Sequence, residues 1–192
     1  MGGWLSDLEQ AAPDAVAAYR NVEAGKFITV RRSIRRRVQT GAAPEIVPQL
    51  AALADALVAM VDRLPDAAFE APGGEGDWNV AQAIGHDASA RAGLALAGAL
   101  AARGRWPADA PVVVPGVAGT AEASRDELRR GLIISQKSIE RSARSIEGHE
   151  TDPCPLEHPL VGQLRCGEWL LFAGVHDLMH LEQLHGLEAQ AR

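Results

Sequence analysis

Cysteine is almost absent: the 192 residues include only Cys154 and Cys166. Two thiols outside a C-x-x-C arrangement exclude a disulfide framework, and a reducing, cytoplasmic setting is the expectation. Aromatic residues are scarce as well, 4% of a chain that is 47% apolar. An interior built mostly from Ala, Leu, Val and Ile belongs to packed helices and not to a β-sandwich, so the expected fold class is all-α. No apolar run reaches the ~18 to 20 residues of a transmembrane helix, and the N-terminus lacks the pattern of a signal peptide, so no membrane span is expected. Internal repeats and low-complexity tracts are also missing. So is an excess of positive charge, since a net charge of −6 argues against a nucleic-acid partner. The length suits one core and is too short for two ordinary domains with a linker.

The charge that is present is uneven. Arg20 to Pro44 holds seven basic residues and one acid, a local +6 against −12 for the remainder. Residues 1–44 read as an N-terminal helical extension in two pieces, Leu5 to Glu23 and Lys26 to Gln39, punctuated by Pro13 and Gly25. Trp4, Leu5, Leu8, Ala12, Val16 and Tyr19 form an apolar stripe that packs on the rest of the chain or on a second subunit. In the basic run Arg31 to Arg37, the narrow line of Val30, Ile34 and Val38 is flanked by arginines. Those arginines face solvent or acidic groups of the same protein, or else phosphate or anionic lipid.

Residues 45–192 read as a four-helix bundle. Helices are expected from Pro44 to Pro65, Val80 to Arg103, Glu122 to Glu147 and Glu168 to Ala191. Asn79, or alternatively Asp77, caps the second. Gly104 to Thr120 carries three prolines and three glycines and is far longer than the ~2 to 8 residues that join neighbouring antiparallel helices, so it is a crossover. A second proline-rich connection, His149 to Leu164, precedes the last helix.

The chemistry concentrates on that last helix. At about 100° per residue, Trp169, Phe172, His176, His180, Gln183 and Leu187 share one inward stripe, and His185 points away from it. Two imidazoles on an apolar face must be hydrogen-bonded or bound to something, and a divalent metal is the commonest such partner. His86, on the second bundle helix, can supply a third donor. Around it Ala83, Ser89, Ala90, Gly93 and Ala97 are small and leave room for close helix approach or for a ligand, while Gln82 most simply bonds to a neighbouring helix. Cys154 and His158 read as solvent-exposed loop residues in preference to a second metal or redox pair.

DWNVAQAIGHDA (Asp77 to Ala88) together with HPLVGQLRCGEWLLFAGVHDLMHLEQL (His158 to Leu184) resembles the DinB-like superfamily. Its members are four-helix bundles with a long crossover between helices two and three, which carry W-[ST]-x-x-x-x-x-x-H on helix two and H-[DE]-x-x-H-x-x-Q on helix four. The resemblance covers roughly Glu45 to Ala191 and implies that His86, His176 and His180 bind a divalent metal, zinc or nickel first, manganese or iron next. Asn79 replaces the usual Ser or Thr and caps equally well. Arg165 stands at the usual cap of the fourth helix and Gly167 weakens its first turn, so its start is expected to shift or fray. Asp177 is a helix-surface group or a support to the metal site, Gln183 holds a metal-bound water or bonds to a neighbouring helix, and Trp78 anchors the mouth of helix two or lines the pocket. Glu168 is a first-turn carboxylate favoured by the helix dipole.

The resemblance implies an enzyme acting on a small-molecule substrate, whose metal activates a thiol or water: an S-transferase, an isomerase or a hydrolase. The thiol would be of low molecular weight, such as mycothiol, bacillithiol or glutathione. Related proteins are often homodimers. The alternative is a non-catalytic metal- or ligand-binding bundle acting as an interaction or stress module.

Overall fold

A computed structural model describes residues 3–23, 27–74 and 76–190. The expected helix start at Lys26, the break at Gly25 and the helix end at Ala191 lie outside the described residues. Seven α-helices are described: α1 (Gly3–Glu9), α2 (Pro13–Glu23), α3 (Phe27–Arg37), α4 (Ala43–Arg63), α5 (Val80–Ala102), α6 (Arg125–Ile146) and α7 (Cys166–Gln190). Helices α4 to α7 form the bundle, in which α4 and α5 each pack against both α6 and α7. The fold is all-α, with one small hairpin.

The first expected piece divides at Pro13, which begins α2 because its fixed φ and missing N–H suit a helix's first turn. Leu5, Ala12, Val16 and Tyr19 of the N-terminal stripe are buried within the chain, and α2 packs on α7. Val30, Ile34 and Val38 of the basic helix are fully buried too. These helices explain why α7 is apolar all round: Leu170, Leu171, Ala173 and Val175 are as buried as Trp169 and Phe172 on the histidine stripe.

Helix α4 is long and apolar enough to cross a membrane by length and composition, the one such helix among the described residues, which corrects the expectation that none reaches that limit. Its Leu50, Leu53, Leu57 and Met60 are fully buried in the bundle core. Helix α6 begins later than expected because Ser124 and Glu127 close a capping box: Ser124 Oγ accepts from the Glu127 N–H, and the Glu127 carboxylate accepts from the Ser124 N–H.

The connection after α6 is not an irregular loop. Residues Pro153–His158 (β1) and Gly162–Arg165 (β2) form an antiparallel hairpin, with His158 opposite Gly162 and an irregularity between Pro153 and Glu157. Cys154 and Leu156 point inward, so Cys154 is buried and not solvent-exposed. The crossover hooks onto β1: the Val114 N–H donates to the Glu157 carbonyl at 2.9 Å and the Glu157 N–H to the Val112 carbonyl at 2.7 Å.

Helix α7 starts at Cys166, two residues before Glu168 and directly after Arg165. An arginine cannot cap an N-terminus through its side chain, and Glu168 compensates by accepting from the Arg165 N–H at 2.8 Å and from Arg165 Nε at 2.6 Å. Arg35 of the basic helix adds a bond at 3.0 Å to the same fully buried carboxylate. Burial alone would raise the Glu168 pKa, but the Arg35 and Arg165 hydrogen bonds hold it below its ordinary value. A depressed carboxyl contributes stability above its unfolded pKa and loses that contribution as pH falls through the folded value. Glu168→Gln should therefore cost about 2 kcal/mol at pH 7. In urea titrations from pH 7 to 3, the difference from wild type should shrink below about pH 4.5.

Gly167 has a packing reason for being glycine. A Cβ there would lie 2.6 Å from Glu150 Cβ and 2.9 Å from Glu150 Cα, where the chain before the hairpin crosses the helix start. Gly167→Ala should cost about 2 kcal/mol despite alanine's better helix propensity, measurable by denaturant unfolding.

Candidate metal centre

Helix α5 carries His86 and helix α7 carries His176 and His180, and the bundle brings their rings together. Ring centroids lie 5.3 Å apart for His86 and His176, 5.6 Å for His86 and His180, and 4.6 Å for His176 and His180. One nitrogen from each falls within 4.8 Å of the others, a group able to hold a metal ion. His185 is elsewhere, stacked on Trp4 with centroids 4.9 Å apart.

Each imidazole is also fixed from behind. His86 Nδ1 lies 2.8 Å from the Val117 carbonyl, His176 Nδ1 3.1 Å from Asp87 Oδ1, and His180 Nδ1 3.0 Å from Gln183 Oε1. All three partners are acceptors. They hold the proton on Nδ1 and leave the lone pair on Nε2, the tautomer that a metal needs. Burial pushes the His176 pKa down, against the Asp87 hydrogen bond, and keeps that ring neutral near pH 7. Gln183 thus bonds within its own helix and not to a neighbouring one.

The Val117 carbonyl reaches His86 because the crossover lies flat on α5 where two glycines meet. A Cβ on Gly119 would sit 2.7 Å from Gly85 Cα, and the Gly119 N–H donates to the Gln82 carbonyl at 3.0 Å. The side chain of Gln82, expected to reach a neighbouring helix, instead completes a capping box with Asn79 at the start of α5.

Behind His176 lies a buried charged network. Arg91 is fully buried and donates to Asp177 Oδ2 at 2.8 Å, Ser135 Oγ at 2.7 Å and the Leu50 carbonyl at 2.8 Å. Asp177 is therefore not a helix-surface group. Burial and the adjacent Asp87 push its carboxyl well above the usual range, against the pull of Arg91. Burial also opposes ionisation of Asp87, but the His176 hydrogen bond and the neighbouring positive charge hold it below its ordinary value. Among the described residues Asp87 Oδ2 has no hydrogen-bond partner, and a proton on Asp177 would supply one.

His86 and His176, but not His180, open on a cavity of about 210 Å³ whose lining also includes Trp78, Leu94, His158, Phe172 and Met179. Trp78 lines it, 4.9 Å from the His86 ring. His158 is not a solvent-exposed loop residue; it packs edge-on against Phe172 at 4.7 Å, and burial, with His176 nearby, pushes its pKa down to about 4. A larger depression of about 710 Å³ beside Asp66 and Arg125 contains none of these histidines.

A four-helix bundle whose second and fourth bundle helices bring three imidazoles together beside a cavity defines a helical protein with a group able to bind metal. The sequence pattern of the DinB superfamily matches residues 49–184, and the chain belongs to that superfamily. No curated protein and no solved structure gives a match.

Proposed function

We propose that His86, His176 and His180 bind one divalent metal ion and that the protein is an enzyme acting on a small molecule with a thiol or water. The observation that carries this reading is the tie of all three Nδ1 atoms to acceptors, which leaves the Nε2 lone pairs free in a group whose ligand nitrogens lie within 4.8 Å of one another. Three imidazole donors suit zinc or nickel, and three protein ligands leave further positions of such an ion for water or substrate. Asp87 and Asp177 stand behind His176 in the Arg91 network and support the site without closing it. Once bound, such a metal supplies the positive charge that lowers the pKa of a thiol or water toward neutrality.

The protein's own groups do the remainder. Val117, Asp87 and Gln183 fix the rings, Trp78 and Phe172 wall the cavity, and His158, neutral at pH 7, adds no competing charge. An S-transferase, an isomerase or a hydrolase would each use this arrangement. A cytoplasmic setting and a homodimer belong to the same proposal, although the Trp4 to Tyr19 stripe is spent within the chain.

The test is a screen of metal-loaded protein with mycothiol, bacillithiol and glutathione against electrophiles, and with water against esters and amides. Turnover that His86→Ala lacks is the expected result. Full metal loading without turnover in any arm would favour the non-catalytic binding module.

A further inference from the structure

A second cavity, of about 290 Å³, lies between α5 and the crossover. Its floor is the small-residue strip of α5, including Ala90, Gly93 and Ala97, and its roof includes Trp106, Val114 and three prolines. Among the described residues no Asp, Glu, Lys or Arg lines it. Pro107, Pro111 and Pro115 restrict the roof's backbone before anything binds. That roof is pinned to β1 through Val112 and Val114 and to α5 through Gly119. At its rim Leu96 and Val117 are 51% and 60% exposed, apolar surface that none of the described residues covers. The two cavities share His86, Ala90, Leu94, Val114 and Pro115 as lining, so the second adjoins the cavity lined by His86 and His176.

We propose that this cavity binds the uncharged apolar body, aliphatic or aromatic, of a small molecule whose polar head reaches the cavity lined by His86 and His176. The assignment of the head rests on the proposed function; the binding of the body does not. A charged body is excluded because transfer into a wall without charged partners would strip it of water uncompensated. The volume sets the size, since 290 Å³ holds on the order of ten carbon-sized groups. It lies at the lower end of small-molecule sites, which suits one ring system or a medium-length chain and not a long lipid. A prebuilt roof also lowers the ordering cost of binding.

The test uses n-alkanols from butanol to decanol, titrated against the full chain and read by the fluorescence of Trp106, with Trp106→Phe to assign the signal. Affinity should rise about fourfold for each added methylene and level off near ten carbons as the cavity fills. Gly93→Leu supplies the decisive variant. Gly93 lines the cavity and a Cβ there meets nothing within 4 Å, so leucine is expected to fill cavity space without a backbone clash. It should weaken octanol binding at least tenfold while thermal stability holds or improves and metal content stays at the wild-type value. Affinity independent of chain length, or octanol binding to Gly93→Leu as tight as to wild type, would overturn the proposal. Chain-length-dependent binding in a protein that takes up no metal would support the cavity and defeat the metal-dependent reading. Metal-dependent turnover without such binding would do the reverse.

Discussion

Arg91→Met should lower the stability of the chain by about 3 to 5 kcal/mol, the largest loss expected from any single substitution outside the apolar core. Arg91 has no exposed surface and ties together three bundle helices through Asp177, Ser135 and the Leu50 carbonyl. Methionine keeps much of the volume but leaves Asp177, Ser135 Oγ and the Leu50 carbonyl without the Arg91 donor in a place that water does not reach. For a chain of this length the loss corresponds to roughly 10 °C in melting temperature. Removing Asp177 together with Arg91, as Arg91→Met with Asp177→Leu, should recover part of it, because breaking one half of a buried pair costs more than replacing both. A melting temperature for Arg91→Met within about 2 °C of wild type would show that the network does not hold the bundle together.

His176→Ala should weaken zinc or nickel binding on the order of a hundredfold. Sharing the roughly 10 to 16 kcal/mol of a four-ligand zinc site among its ligands gives each about 3 kcal/mol, which is that factor. Asp87→Asn should act in the same direction by about 10- to 100-fold, because a histidine's outer partner sets its tautomer and orientation. His185→Ala should leave affinity unchanged, since that ring stacks on Trp4 away from the cavity. Competition with a chromogenic chelator at fixed pH measures all three. Equal losses for His176→Ala and His185→Ala would mean that the measured metal sits elsewhere.

The histidines were legible because α-helical spacing places His176 and His180 on one stripe whatever the tertiary structure, and His86 was the only histidine on another long helix. Their supports were harder to read. Asp87 follows His86 directly and resembles an ordinary surface carboxylate; the available signal was its spacing of four from Arg91, two charges at core-facing positions of α5. The partner of His86 is a backbone carbonyl, about which side-chain chemistry says nothing, although Gly85 and Gly119 mark the contact that brings it there. Prolines at 153, 155 and 159 masked the hairpin, whose alternation at Cys154, Leu156 and His158 is short and irregular. The N-terminal helices cover the second apolar face of α7, which its sequence displays in Leu170, Leu171, Ala173 and Val175.

The central claim is that the three converging imidazoles bind one metal ion. Elemental analysis of chain purified without chelator and without a nickel column, then dialysed against equimolar zinc and nickel, tests it most directly. Near one zinc or nickel per chain in the wild type, and a clear loss in His86→Ala, is the predicted result. Wild-type protein that neither carries nor takes up zinc, nickel, manganese or iron would contradict it.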